Sequence, residues 1–285
     1  MTRIILAVAV MLMAMVAVIE TASGQESGQV TIPKLSGPDH FGWRGGTAFD
    51  AVPGGPRAVS DDPAHPHIGN RDRKPGQESS FWWGNLNNPN LTDFAKEGLK
   101  KTINEIISGK AVYNREARCW PTGVPTFDVN QGFLYFVQTP KLVLMVWEGD
   151  HVIRHIYMDV PHSQNPKPSW YGESVGHYEG DTLVVDTIGQ NTQTYVDNYR
   201  TPHSEKLHVV ERFRVINGGK NLKADIFVED PATFKQPVHE AHTWRSAPQD
   251  SFDEQSCAES GPGNFVFSTD PKRVEPIPTA IKADF

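Results

Sequence analysis

Between residues 132 and 245 the chain repeats one pattern: short apolar runs with a period of two, separated by turn-forming residues. Side chains that alternate in this way fit a strand with one buried face. The runs are 132–138, 141–148, 152–158, 171–178, 182–188, 206–216, 221–229 and 238–245, with a further candidate at 264–268. The breaks carry turn chemistry: "TP" at 139, "EGD" at 149 and again at 179, "NGGK" at 217. Consecutive short strands with tight turns predict an all-β fold, an antiparallel meander. Eight or nine such strands close most economically into a barrel, which leaves no exposed edge. Barrels of that size either pack solid or enclose one small ligand.

The N-terminus points to export. Thr2–Arg3 precede an uncharged apolar run, Ile4 to Ile19, and then Ala22-Ser23-Gly24, which reads as a secretory signal cut near Gly24/Gln25. The run is shorter than the ~20 residues of a spanning helix and no second one follows, so no stable membrane span is expected after cleavage. A periplasmic or secreted location follows. Beyond the signal, residues 25–80 read as a Gly/Pro-rich irregular arm, 81–260 as a helix plus β-barrel domain, and 261–285 as an extended tail. The single convincing helix has Thr92 as its cap, Asp93 in its first turn, a stripe of Leu99, Ile103, Ile106 and Ile107, and Gly109 at its end. Phe81, Trp82 and Trp83 read as a plug that docks the arm rather than a ligand-stacking platform, and His65 and His67 as solvated loop residues.

Composition removes several classes. A net charge of -7, with no cluster of Lys and Arg, argues against nucleic acid as a partner. No GxSxG, Walker loop, helix-opening GxGxxG, CxxC or CxxCH occurs, which disfavours serine hydrolases, nucleotide-dependent enzymes, thioredoxin-like proteins and c-type cytochromes. No cofactor is expected. The two cysteines, Cys119 and Cys257, would meet an oxidising compartment and are expected to pair. Closing so long a loop is worth on the order of 4–5 kcal/mol in the chain-entropy model.

The stretches "RCWPTGVP", "FVQTPKLVLMVWE", "RHIYMDVPH", "SWYGESVGHYEGDTLVVDTIG" and "PHSEKLHVVERF" resemble, in this order, a widespread uncharacterised family of secreted bacterial proteins. The resemblance covers most of residues 80–245. It implies export and a shared fold similar to lipocalin-like (calycin-type) barrels, and it supplies no activity.

The polar residues of the strands provide the candidate site. In 206–216 alternation puts Leu207, Val209, Glu211, Phe213 and Val215 on one face and His208, Val210, Arg212 and Arg214 on the other. If the first face is the core, Glu211 is a carboxylate among apolar neighbours, which must be paired, protonated or solvated. Asp186 lies between Val184 and Ile188 and is open to the same reading, so that Glu211 and Asp186 would form a carboxylate pair for acid–base work. The alternatives are a structural ion pair for Glu211 and a strand-end hydrogen bond for Asp186. His203 and His162 share the tripeptide "PHS" near strand ends, where two loops would bring them together, or each satisfies a backbone carbonyl. His203, His208 and Glu211 also suit a metal by residue type but not by spacing, which leaves the metal unknown.

Three functions stay open. A small-molecule-binding barrel would use Tyr135, Trp147, Phe213 and Trp244 as walls, His155 and Tyr157 where they face inward, and Arg212, His162, His208, Glu211 and Asp186 as polar groups. A cofactor-free lyase, isomerase or hydratase would use Glu211 or Asp186 as base and His203 or His208 as acid. In an envelope interaction protein the polar groups would only satisfy one another.

Overall fold

The computed structural model describes residues 33–247 except 36–41, 47, 54–57, 69–73, 75–80, 109–119, 130–131 and 150–151, all within the unit Pro33–Phe285. The expected signal peptide, Gly109, Cys119, Cys257, the 264–268 strand and the tail lie outside the described residues.

Ten strands form one sheet: β1 (Trp43–Arg44), β2 (Asp50–Ala51), β3 (Phe133–Gln138), β4 (Leu142–Trp147), β5 (Ile153–Met158), β6 (Glu173–Glu179), β7 (Thr182–Ile188), β8 (His208–Ile216), β9 (Asn221–Glu229) and β10 (Val238–Ser246). β3 to β10 are neighbours in chain order, and β1 bonds both β3 and β10, which closes a nine-stranded barrel. The eight strands read between 132 and 245 are therefore present. The ninth comes from the stretch read as an irregular arm. β1 and β2 both pair antiparallel with β10, Arg44 opposite Arg245 and Asp50 opposite Ala241. Gly45 follows β1 where a Cβ would lie 2.4 Å from His242 Nε2 and 2.6 Å from the Trp244 ring.

One joint departs from the antiparallel meander. β5 pairs with β6 in parallel, Ile156 opposite Ser174 and Met158 opposite Gly176. Residues 159–172 carry Pro161, Pro166 and Pro168 back along the barrel, because a parallel pair needs a crossover rather than a hairpin. The next joint is a true hairpin. Gly180 supplies the positive φ (61°) that the tight turn between Glu179 and Thr182 requires.

The interior is filled by the alternate residues of each strand. Leu134 and Phe136, Met145 and Trp147, Ile156, Leu183 and Val185, Phe213, Ala224 and Ile226, and Trp244 all point inward and are buried. At the end where β3 begins and β4 ends, the 3-10 turn Thr126–Val129 enters the core, with Phe127 edge-on to Trp147 and Tyr171. Gln190 holds the approach to that turn by bonding both Val124 N (2.7 Å) and Val124 O (2.8 Å).

The outward residues differ from wall to wall. Arg212, Arg214, Lys223, Asp225 and Glu229 dress β8 and β9, whereas β4 is apolar on both faces and puts Leu142, Leu144 and Val146 outward. Around the latter, Val137, Ile153 and Tyr157 are about half exposed, at 52%, 46% and 50%.

The helix α1 (Asp93–Ile107) is capped as expected: Thr92 Oγ1 accepts the Ala95 N–H. Its buried line is Ala95, Leu99 and Thr102; of the expected stripe Leu99 is buried, Ile103 is half-buried and Ile107 is exposed. Trp82 and Trp83 stack on His67 (3.7 Å) and His65 (4.1 Å) of the arm; both histidines are loop residues as expected, His65 about half exposed, and each has a ring partner.

Candidate functional site

Two polar clusters form on opposite faces of the same strands. The inner one centres on Arg154, which β5 turns into the core together with Ile156 and Met158. Its guanidinium grips Glu211 of β8 in a two-pronged pair, Nη1 to Oε1 at 2.8 Å and Nη2 to Oε2. The remaining donors reach Ser174 of β6 (Nε to Oγ, 3.1 Å) and Thr187 of β7 (Nη2 to Oγ1, 2.7 Å). The cation also faces the Phe127 ring at 5.8 Å. Four strands are thus tied through one side chain.

The third member, Asp128, enters from the 3-10 turn. Neither of its oxygens has an N–H donor, and its neighbour is the Glu211 carboxylate. Burial first, and then the charge of Glu211, hold the Asp128 carboxyl well above the usual carboxylate range. Two carboxyls in contact share a proton, and here Asp128 carries it and donates to Glu211. Burial opposes the Arg154 charge, but Glu211 and Asp128 outweigh it and raise the guanidinium's pKa. The cluster is neutral as a whole. Glu211 and Asp128 have no exposed surface and Arg154 has 1%, which leaves no space for a water molecule against the two acids.

The outer cluster lies at the rim. Asp186, outward on β7, holds two imidazoles on one oxygen: His162 Nε2 at 2.9 Å and His208 Nε2 at 3.0 Å from Oδ1. His162 comes from the crossover and turns its other nitrogen to Glu173 Oε1 (3.1 Å), which also accepts the Ser163 N–H at 2.7 Å. On the far side His208 Nδ1 lies 4.0 Å from Glu229. The row therefore alternates carboxylate and imidazole across β6, the crossover, β7, β8 and β9. Partial burial works against ionisation of Asp186, but the bonds from His208 and His162 outweigh it and hold its carboxyl below the ordinary range. Glu173 is likewise lowered, by Ser163 and His162 against some burial. The bond to Asp186 raises the pKa of His208, against partial burial.

These placements correct several expectations. Asp186 and Glu211 are not a carboxylate pair, because Glu211 pairs across the ladder with Val185 and not with Asp186. His203 does not meet His162: it is buried, with Nε2 2.7 Å from Thr194 Oγ1 and Nδ1 2.9 Å from the Ser204 carbonyl. His155 and Tyr157 face solvent, and Tyr135 lies on the same outer face, its ring against Gly42. Arg212 also points outward, onto Glu179, whose carboxyl it pulls down to about 2. Trp147, Phe213 and Trp244 line the interior but are wholly buried in its packing. His203, His208 and Glu211 face three different surroundings, and among the described residues no group of three His, Cys, Asp or Glu side chains is arranged to hold a metal ion.

Sequence reasoning missed Arg154, Asp128, Glu173 and Glu240. Arg154 had a visible signal, since Val152, Ile156 and Met158 share its face and make it the cationic counterpart of Glu211. Asp128 had none, because it reaches the core from a turn rather than a strand. Glu240 had the signal of Val238 and Trp244 on its own face. It is buried, and desolvation, then the charge of Asp197, push it up to about 8.

No protein-family model matches the chain, and neither curated proteins nor solved structures give a match. Among the described residues no helix is long and apolar enough to cross a membrane.

Proposed function

We propose that this is an exported β-barrel that binds a small hydrogen-bond-donating molecule at its rim, on the row Glu173–His162–Asp186–His208. The observation that carries the reading is the shared oxygen. Both imidazoles use Asp186 Oδ1, so Oδ2 of a half-buried, firmly ionised carboxylate is left for an outside donor. An alcohol or amine group is the chemistry it suits, with the two imidazoles fixing the carboxylate's orientation. The barrel core is a poor place for the ligand, because the aromatic walls and the Arg154–Glu211–Asp128 cluster occupy it. The apolar run Ile4–Ile19, and the resemblance of the strand motifs to a family of secreted proteins, support export.

A second reading uses the same row. The bond to Asp186 raises the pKa of His208 against partial burial, which suits a general acid in cofactor-free proton transfer. Native mass spectrometry of the exported protein, as wild type and as Asp186→Asn, tests the proposal. The expected result is a bound small molecule that is lost in the variant while the circular dichroism of the barrel is unchanged. A clean unliganded mass for the wild type, or the same adduct on the variant, overturns it. Turnover of the identified molecule that His208→Gln abolishes without loss of binding would favour the enzyme.

A further inference from the structure

Asp186 stands in a cross-strand row of apolar and aromatic residues. Pairing sets Val175 of β6 and Val210 of β8 on either side of it, then Phe227 of β9 beyond Val210 and His239 of β10 beyond Phe227. Glu173 and His208 belong to the next row, one step nearer the strand ends, and from there His162 and His208 reach Asp186 Oδ1. Oδ2 accepts no bond from the described residues.

Phe227 and His239 form one platform. Their rings stack at 4.2 Å between centres, with planes 13° apart. His239 Nε2 lies 3.4 Å from Asp225 Oδ1, which Lys223 Nζ holds at 2.8 Å. A stack between neighbouring strands turns the ring normal along the row, so the face of Phe227 away from His239 looks across half-buried Val210 toward Asp186. Phe227 is 39% exposed, and with one face on His239 that exposure belongs to the other face and the edge. The surrounding charges favour a cation. Glu173 and Glu229 lie with Asp186 at this end of the barrel, while Arg212 and Lys223 are committed to Glu179 and Asp225.

We infer that the rim site takes an aryl-alkyl amine, with its ammonium on Asp186 Oδ2 and its ring stacked on Phe227 above Val210. The inference rests on Asp186 as a binding carboxylate and adds the body of the ligand. Strands about 4.8 Å apart set Asp186 and Phe227 about 10 Å apart along the row. A ring about 4 Å from Phe227 and an ammonium about 3 Å from the carboxylate leave roughly 3–5 Å between ring and nitrogen on the splayed outer surface. One or two methylenes span that gap.

NMR titration of the full exported chain with phenethylamine and with ethylamine tests it. Wild type should bind phenethylamine about tenfold more tightly than ethylamine, with shifts at Val210, Phe227 and His239. Phe227→Leu keeps apolar area but loses the flat face, and Phe227→Ser loses both. In each the preference should fall to about threefold or less, with the circular dichroism of the barrel unchanged. Asp186→Asn should weaken both amines, and phenylacetate, the same ring on a carboxylate, should not bind. If ethylamine binds and needs Asp186 but phenethylamine is no tighter, or keeps its advantage in both Phe227 variants, the inference is wrong and the rim site stands. If neither amine binds wild type, the failure lies with Asp186 as a binding carboxylate, and the inference falls with it. Phenethylamine that binds equally well to Asp186→Asn has its site elsewhere, which also overturns the inference.

Discussion

Glu211 and His208 lie three residues apart on β8, and the fold gives them opposite fates. Glu211 faces in, where Arg154 meets both of its oxygens, Asp128 brings a proton, and no solvent reaches the cluster. His208 faces out, where it shares one oxygen of Asp186 with His162, and 37% of its side chain is exposed. Both clusters set carboxyl groups against cationic or ionisable nitrogen groups; they differ in exposure. The inner cluster is sealed from solvent, and its Arg154 donors are spent on Glu211, Ser174 and Thr187, so it links strands. The rim cluster keeps an oxygen and exposed surface, so it can meet another molecule.

The largest expected effect breaks the inner pair. Arg154→Met should destabilise by about 3–5 kcal/mol in urea unfolding, because it strands the Glu211 carboxylate without its cation. Arg154→Met/Glu211→Leu should cost far less than the sum of the single changes, since a buried ion pair can be replaced by apolar side chains at little cost. Additive single costs would show that the pair is not one unit, and the contrast with the rim would fail.

Next comes Glu240, an inward acid of β10 beside Asp197 and without a bond of the inner kind. Its carboxyl is held up to about 8 in the folded state, above the usual range near 4.3. The folded protein therefore holds a proton that the unfolded chain releases, so stability falls as pH rises through that interval. Glu240→Gln removes this fall, by on the order of a few kcal/mol at pH 8 and little near pH 4. Melting curves at the two pH values decide it. Asp128, also raised, leaves a slope of the same sign in the variant, and Asp128→Asn should flatten that too.

Both clusters were partly legible in the sequence. Strand periodicity set eight of the nine barrel strands and put Glu211 inside, since a two-residue period leaves no choice of face once Val209 and Phe213 are core. The ninth, β1, is two residues long and shows no period. The parallel joint was signalled by the length and prolines of residues 159–172, which no hairpin needs. Asp186 misled because Val184, on its face, is itself almost fully buried on the outer side of β7. The pairing of His162 with Asp186 was invisible, because it depends on where the crossover lays its loop.

The smallest expected effect lies at the rim, and its sign with pH sharpens the comparison. Asp186 is lowered, so its contribution is present above about pH 4, the unfolded value, and fades as pH falls through the folded one. His208 is raised, so its contribution is full below about 6.5 and fades as pH rises through the folded value. The coupling is therefore confined between the two, strongest near pH 5. Both groups are more than a third exposed, so a double-mutant cycle of Asp186→Asn and His208→Gln should give less than about 1 kcal/mol there and nothing measurable at pH 9. A coupling as large as that of the inner pair, or one that persists at pH 9, would make the rim a structural clamp. A small coupling that vanishes with pH leaves Asp186 free to exchange its partners, which a binding carboxylate must be able to do.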